Sequence, residues 1–204
     1  MYVLYHSPYS QHARRVVSLL EEARLPYELR HVAMDKGEHL SAAYLAINPN
    51  HQVPTLLDGA VKIHESNAIL RYLCLKHGLE NWYPSAPDRR AAVEQWLDWT
   101  QCRLSPAVID IVLNRAFLGD RGDKAAIERG LAKLPELATI MEASLGSDYL
   151  AGSAPTIADL ALASNLFQLG LARETLPGAR IAGWYGRVSA MDGFRKSLPV
   201  QRAA

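Results

Sequence analysis

The chain has 204 residues, of which 49% are hydrophobic and 21% are charged, a composition that supports a folded core and argues against a disordered chain. Its 22 Lys and Arg residues nearly balance its 21 Asp and Glu residues, and this net charge of +1 excludes a strongly basic nucleic-acid binder and an acidic tail. Two cysteines, Cys74 and Cys102, are too few for a disulfide framework.

The start of the chain shows no basic segment followed by a long apolar run, so we expect no secretory signal. The apolar stretches, such as Ile157 to Leu171, are interrupted by polar residues and are too short to span a bilayer. The sequence therefore favours a cytoplasmic protein that has no membrane segment.

The first 78 residues alternate between β-prone runs and helical patterns, in the order β-α-β-α-β-β-α. Leu25-Pro26 ends the first helical pattern, and Asp58-Gly59 marks a hairpin turn. We expect, in order, a strand over Tyr2 to Tyr5, a helix over His12 to Ala23, a strand over Tyr27 to Val32, a helical turn over Ser41 to Ile47, a hairpin of Thr55 to Leu57 with Val61 to Ile63, and a helix that Ser66 caps.

The remainder of the chain reads as helical. Residues 79–87 are polar and contain two prolines, which indicates a linker. We expect, in order, a helix from Asp88 with a kink at Pro106, a helix from Asp123 that Pro135 bends, a capping box over Thr156 to Asp159 that leads into Leu160 to Leu171, and a last helix over Ile181 to Met191. The sequence thus predicts a mixed α/β domain over 1–78 and an all-helical domain over 88–204.

Three polar segments of the first domain carry candidate chemistry. Ser7, Tyr9 and Ser10 lie just before a helix, where free N–H groups favour an anion. Val53-Pro54 precedes a strand, and the residue before a cis proline exposes its backbone to an extended ligand, although the sequence alone favours a trans bond. Glu65-Ser66 begins the next helix. Each segment taken alone is also explained as a cap or turn.

All seven histidines lie before residue 80. Their spacing includes no H-x-x-H or H-x-x-x-H pair, and no cysteine accompanies them at zinc-site intervals, so we expect no metal. The Arg14-Arg15 pair is interpreted as part of a solvated helix face. Trp96 and Trp99 are interpreted as core or domain-interface residues.

Taken together, these motifs and this element order resemble the cytosolic glutathione S-transferase family, and specifically its serine-type, theta/phi-like bacterial members. The resemblance covers essentially the whole chain. It is carried by Asn48-Pro49, Gln52-Val53-Pro54-Thr55-Leu56-Leu57-Asp58-Gly59, Ile63-His64-Glu65-Ser66-Asn67, Trp96-Leu97-Asp98-Trp99 and Pro155-Thr156-Ile157-Ala158-Asp159. It implies a thioredoxin-like N-terminal domain that binds glutathione, an all-helical C-terminal domain and a homodimer.

The resemblance also implies roles for particular residues. Ser10 would stabilise the thiolate of glutathione, with Ser7 and Tyr9 as alternatives. Glutathione would be held by His39, Gln52, Val53, Pro54, Glu65 and Ser66, and the second substrate by Tyr9, Trp99, Arg103, Arg115 and Phe117. Leu40 stands where the plant-like pattern has lysine, and His51 stands where many relatives have glycine.

The function that the resemblance implies is conjugation of glutathione to a small hydrophobic electrophile, as in detoxification. Glutathione is then a co-substrate, and neither a metal, a nucleic acid nor a membrane is required. The alternatives are a glutathione-dependent peroxidase, isomerase or disulfide reductase, or a non-catalytic binding or regulatory protein of the same fold.

Overall fold

A computed structural model describes residues 1–199 of the chain. Its contacts divide the chain into two compact units, one formed by Met1–Leu79 together with the segment from Met191 onward, and one formed by Glu80–Ala190. The sequence assigned the whole of 88–204 to the helical domain. The segment that begins at Met191 instead belongs to the first unit, and residues 200–204 lie outside the described residues.

The first unit contains the predicted order of elements. They are β1 (Tyr2–His6), α1 (Gln11–Glu22), β2 (Tyr27–His31), α2 (Ala42–Leu45), β3 (Thr55–Asp58), β4 (Val61–His64) and α3 (Ser66–His77). The strands form one mixed sheet in the order β2-β1-β3-β4, in which β1 is parallel to β2 and antiparallel to β3. Tyr5 pairs with Thr55, and Thr55 pairs with His64, so the end of β1, the start of β3 and the end of β4 meet at one edge.

The core of the first unit forms because apolar residues of α1 and α3 recur at helical spacing and the central strands supply apolar partners. These side chains are fully or almost fully buried, and they include Leu4, Val16, Leu20, Leu56, Ile69, Leu70 and Leu73.

A short helix that the sequence did not predict, α9 (Asp192–Lys196), packs against α1. The approach is close, because a Cβ atom at Gly193 would lie 2.5 Å from the Ser18 carbonyl oxygen. Glu22 accepts a hydrogen bond from the Gly193 N–H, and the Arg14 guanidinium donates to the Ser197 carbonyl at 3.2 Å. These contacts draw the segment from Met191 onward into the first unit.

The second unit consists of α4 (Pro87–Trp99), α5 (Ser105–Val112), α6 (Lys124–Ser144), α7 (Ile157–Leu171) and α8 (Ala179–Ser189). The kink expected at Pro106 takes another form: Pro106 lies in the first turn of α5, where its missing N–H costs little, and a wide π-helical turn over Thr100–Leu104 precedes it. Pro135 lies inside α6, as predicted. Between residues 80 and 190 the only β pairing is an isolated bridge of Tyr149 with Gly152.

The capping box of α7 organises the second unit, and the sequence prediction of it is confirmed. Asp159 is fully buried and accepts four hydrogen bonds: from the N–H and hydroxyl of Thr156, at 2.7 and 2.9 Å, from the Leu150 N–H at 3.0 Å, and from the Trp184 indole at 2.7 Å. Burial is the main influence on the pKa of Asp159 and raises it, while these hydrogen bonds oppose the rise.

None of the helices within residues 1–199 combines the length and the apolar character needed to cross a membrane.

Removing the Asp159 carboxylate is expected to destabilise the fold. Asp159→Ala leaves the buried N–H groups of Leu150 and Trp184 without an acceptor, so we expect the free energy of unfolding to fall by at least about 3 kcal/mol in urea denaturation. Asp123→Ala is the matched control, because Asp123 caps α6 from an exposed position and its loss is expected to cost about 1 kcal/mol. Equal losses in the two variants would contradict the central role of Asp159.

Candidate functional site

Ser10 occupies the N-cap of α1, directly after β1 and its loop. Its side-chain oxygen accepts a hydrogen bond from the Ala13 N–H at 3.2 Å, and its own N–H donates to the Ser7 carbonyl at 2.9 Å. A hydroxyl that accepts through a lone pair keeps its proton for another acceptor. Ser10 therefore presents an O–H donor beside the positive end of a helix, whereas Tyr9 lies on an exposed part of the same loop.

Val53 lies just before β3, at the edge where β1 ends. The Val53–Pro54 peptide bond is cis. Among the described residues, neither the N–H nor the C=O of Val53 has a hydrogen-bond partner. A free donor and a free acceptor on one residue suit an extended peptide that lies alongside it like an added strand.

A buried polar network fixes the chain just before Val53. The Gln52 carbonyl accepts from the Tyr44 hydroxyl at 2.6 Å and from the Asn48 side-chain amide at 2.9 Å. Asn48 also donates to the Thr55 hydroxyl at 3.0 Å, and Asn48, Tyr44 and Thr55 are all at most 4% exposed. The sequence identified Asn48 only as part of a motif and gave no signal for the contribution of Tyr44.

The N-terminus of α3 has no side-chain cap. The sequence prediction that Ser66 caps this helix is wrong, because Glu65 holds the N-cap position and Ser66 is the first helical residue. Glu65 has a φ of 67°, in the left-handed region that costs a non-glycine residue energy, and such backbone strain clusters at functional sites. The uncapped helix end leaves its first N–H groups available to an anion.

His39 lies in a short 3₁₀ turn, Glu38–Leu40, with its ring centre 6.5 Å from that of His51. The Nδ1 atom of His39 is buried and has no hydrogen-bond partner within the described part of the chain. Gln52 and His51 are exposed, and His51 adopts a φ of 47°. Leu40 is 57% exposed and contributes no charge.

Two histidines beside the Ser10 loop are held neutral. Burial is the main cause that lowers the pKa of His12 to about 3, and the nearby Arg15 guanidinium adds to it. Burial likewise lowers the pKa of His6 to about 4, with a further contribution from His31. The His12 ring lies between α1 and α3, with Nδ1 at 3.5 Å from the Ser66 hydroxyl oxygen.

Four of the five residues that the sequence associated with a second substrate lie in the second unit, and their surroundings differ. Trp99 packs edge-on against Trp96, with ring centres 5.3 Å apart, and Arg103 is exposed. Phe117 is 47% exposed. Arg115 donates to the Glu174 carboxylate at 2.5 Å and to the Ala172 carbonyl at 3.3 Å, so its guanidinium is engaged in hydrogen bonds within the second unit.

The interpretation of Arg14 and Arg15 as a solvated pair is wrong, since they are 1% and 0% exposed. Arg14 turns toward the segment after α9, and Arg15 turns toward α3, where it donates to the Asn67 side-chain oxygen at 3.0 Å. Because both residues are charged, nothing in the sequence indicated that they are buried. No group of three or more His, Cys, Asp or Glu side chains within residues 1–199 is arranged to hold a metal ion.

Comparison with known families decides the identity of the chain. Residues 4–81 match the family model described as "Glutathione S-transferase, N-terminal domain", and residues 124–187 match that of the C-terminal domain. Glutathione S-transferase GstB of Escherichia coli K12 is 32% identical over 94% of this chain and 94% of its own length. This chain belongs to the glutathione S-transferase family.

Other family members align over equally long stretches. Glutathione S-transferase F10 of Arabidopsis thaliana is 30% identical over 98% of this chain and all of its own length, and glutathione S-transferase theta-1 of Mus musculus is 31% identical over 97% and 87%. The theta-class glutathione S-transferase of Xanthomonas axonopodis, solved with glutathione bound, matches with a TM-score of 0.87 at 29% identity, covering 99% of this chain and 98% of that one. The predicted glutathione S-transferase fold is thereby confirmed.

The neutral histidines of this glutathione S-transferase predict a pH-dependent stability. Because the pKa of His12 in the folded chain, about 3, lies below that in the unfolded chain, about 6.5, the unfolded state binds the extra proton. We expect the free energy of unfolding to fall as the pH drops from about 6.5 toward 4, by at most about 1.4 kcal/mol per pH unit for this group. Urea titrations at several pH values measure the slope. His12→Gln is expected to flatten it, and an unchanged slope in that variant would contradict the assignment.

Proposed function

We propose that this glutathione S-transferase conjugates the thiolate of glutathione to a small hydrophobic electrophile. The observation that supports it most directly is the coincidence, at one edge of the sheet, of three unsatisfied features. These are the Ser10 hydroxyl at the start of α1, the unpaired backbone of Val53, and the uncapped N-terminus of α3. The register of Tyr5, Thr55 and His64 brings the three segments to that edge.

Each part of the tripeptide has a counterpart at this edge. The cysteinyl residue would pair with the N–H and C=O of Val53, beside Pro54. The γ-glutamyl carboxylate would accept from the N–H groups at Ser66, and the γ-glutamyl ammonium would meet the exposed carboxylate of Glu65. His39 and Gln52 are proposed for the glycyl carboxylate, because a half-buried imidazole with an unpartnered nitrogen is available there.

The proposed chemistry needs a thiolate, because the thiol is a poor nucleophile. The thiol proton leaves to solvent. The Ser10 hydroxyl donates a hydrogen bond to the sulfur, and the positive end of α1 favours the negative charge. The sulfur then forms a bond to the electrophilic carbon while the leaving group departs with its electron pair. Ser7 and Tyr9 remain the alternative donors.

A covalent disulfide mechanism finds no support among the cysteines. Neither Cys74 nor Cys102 lies in the loop between β1 and α1, and Cys74 is buried. Burial raises the pKa of the Cys74 thiol to about 12, so this side chain is not a nucleophile at neutral pH. Conjugation is accordingly favoured over disulfide reduction.

Further parts of the proposal rest on the family. They are a homodimer, a cytoplasmic location, and contacts to the electrophile from Tyr9, Trp99, Arg103, Arg115 and Phe117. Within that set, the exposed Phe117 offers apolar surface, whereas Arg115 is engaged with Glu174 and is the weakest candidate.

Ser10→Ala tests the proposed role of the hydroxyl. Loss of the hydrogen bond to the sulfur is expected to raise the pKa of the bound thiol and to lower kcat by about 10²-fold, with little change in KM for glutathione. Steady-state kinetics with an activated aryl halide and ultraviolet titration of the thiolate measure the two effects.

Three variants serve as controls for this experiment. Ser10→Thr keeps both the hydroxyl and the helix cap, and is expected to retain most of the activity. Ser7→Ala and Tyr9→Phe are expected to keep the wild-type kcat. A large loss of kcat in either of the latter, with Ser10→Ala near wild type, would transfer the role to that residue.

A further inference from the structure

Two neighbouring arginines of α1 are buried in different surroundings. The Arg14 guanidinium donates to the carbonyl and the hydroxyl of Ser197 and lies 4.9 Å from the centre of the Phe194 ring. Arg15 is 0% exposed, and its one hydrogen bond runs from Nη1 to the Asn67 side-chain oxygen at 3.0 Å. The Nε and Nη2 atoms of Arg15 have no hydrogen-bond partner within the described residues.

The charge of Arg15 also lacks an anionic partner. No carboxylate in residues 1–199 lies within 4.0 Å of its guanidinium. Burial lowers the pKa of Arg15 to about 9, so the side chain is still charged at neutral pH. Its neighbour His12 is neutral there and offers no negative charge.

A buried cation without a partner lowers stability, and replacing such a group by an apolar residue of similar size is often neutral or stabilising. Arg15 therefore differs from a side chain that is buried to hold the fold together. Its position indicates where a partner would enter: Asn67 is the second residue of α3 and directly follows Ser66, at the helix end that has no side-chain cap.

We propose that Arg15 is a positioning residue whose anionic partner is the α-carboxylate of the γ-glutamyl group of glutathione. It acts from behind the N-terminus of α3, through Asn67 and through its charge, and does not touch the ligand. This inference rests on the proposed function, because it requires glutathione to place that carboxylate at Ser66.

The test compares Arg15→Met and Arg15→Lys with Arg14→Met. Arg14 is a similarly buried arginine of the same helix, but its guanidinium contacts Ser197 instead of Asn67. Two peptides are titrated by calorimetry: glutathione, and γ-aminobutyryl-cysteinyl-glycine, which lacks only the α-carboxylate. We expect Arg15→Met to raise the Kd for glutathione about tenfold, equivalent to about 1.4 kcal/mol, and to leave the Kd for the analogue unchanged. Arg15→Lys keeps the charge and is expected to lose less affinity.

Stability without ligand supplies an independent readout. Arg15→Met is expected to unfold at the same or a higher urea concentration than wild type, whereas Arg14→Met is expected to unfold at a lower one and to keep its Kd for glutathione.

The proposal is overturned by wild-type affinity in Arg15→Met, by an equal loss of affinity for both peptides, or by a marked loss of stability without ligand. In those cases binding of glutathione by the wild-type protein leaves the proposed function standing. Failure of the wild-type protein to bind glutathione overturns both.

Discussion

The Gln52 carbonyl oxygen is the point on which the site depends. Two buried donors, the Tyr44 hydroxyl and the Asn48 amide, converge on it, and Asn48 also donates to Thr55. Because Thr55 pairs with both β1 and β4, one cluster of hydrogen bonds fixes the register of three strands and the course of the chain before Val53. With the carbonyl of Gln52 turned inward to these donors, the backbone of Val53 is left to be satisfied from outside the chain. The buried polar cluster around Gln52 thus leaves the backbone of Val53 open to pairing.

The electrostatics of this edge are one-sided. The N-termini of α1 and α3 point to it, and Arg15 adds a positive charge near the start of α3. Both His6 and His12 are neutral at physiological pH. The carboxylate of Glu65 is exposed, where water screens it. This edge therefore carries more positive than negative charge at some cost in stability, which suits the anionic ligand that we propose for it.

Local patterns were sufficient to predict most of the architecture. The useful patterns depend on residues that are close in sequence: prolines and glycines that end elements, the helical spacing of apolar residues, and the Thr156–Asp159 capping box. The element order predicted from them is confirmed. The failures involve distant partners. Arg14 is buried by Ser197, which lies 183 positions away, and Arg15 by Asn67, so the composition of α1 alone could not distinguish a buried cation from a solvated one. The displacement of the cap from Ser66 to Glu65 depends on a left-handed backbone angle that residue type does not favour.

The return of α9 to α1 makes the first unit discontinuous in sequence. During translation, Met1–Leu79 is synthesised well before the segment that contains Gly193 and Ser197. That later segment supplies the contacts to Ser18 and Arg14. The first unit, to which we assign the proposed glutathione site, therefore cannot be completed until the second unit has been synthesised, and until then one face of α1 stays exposed to solvent.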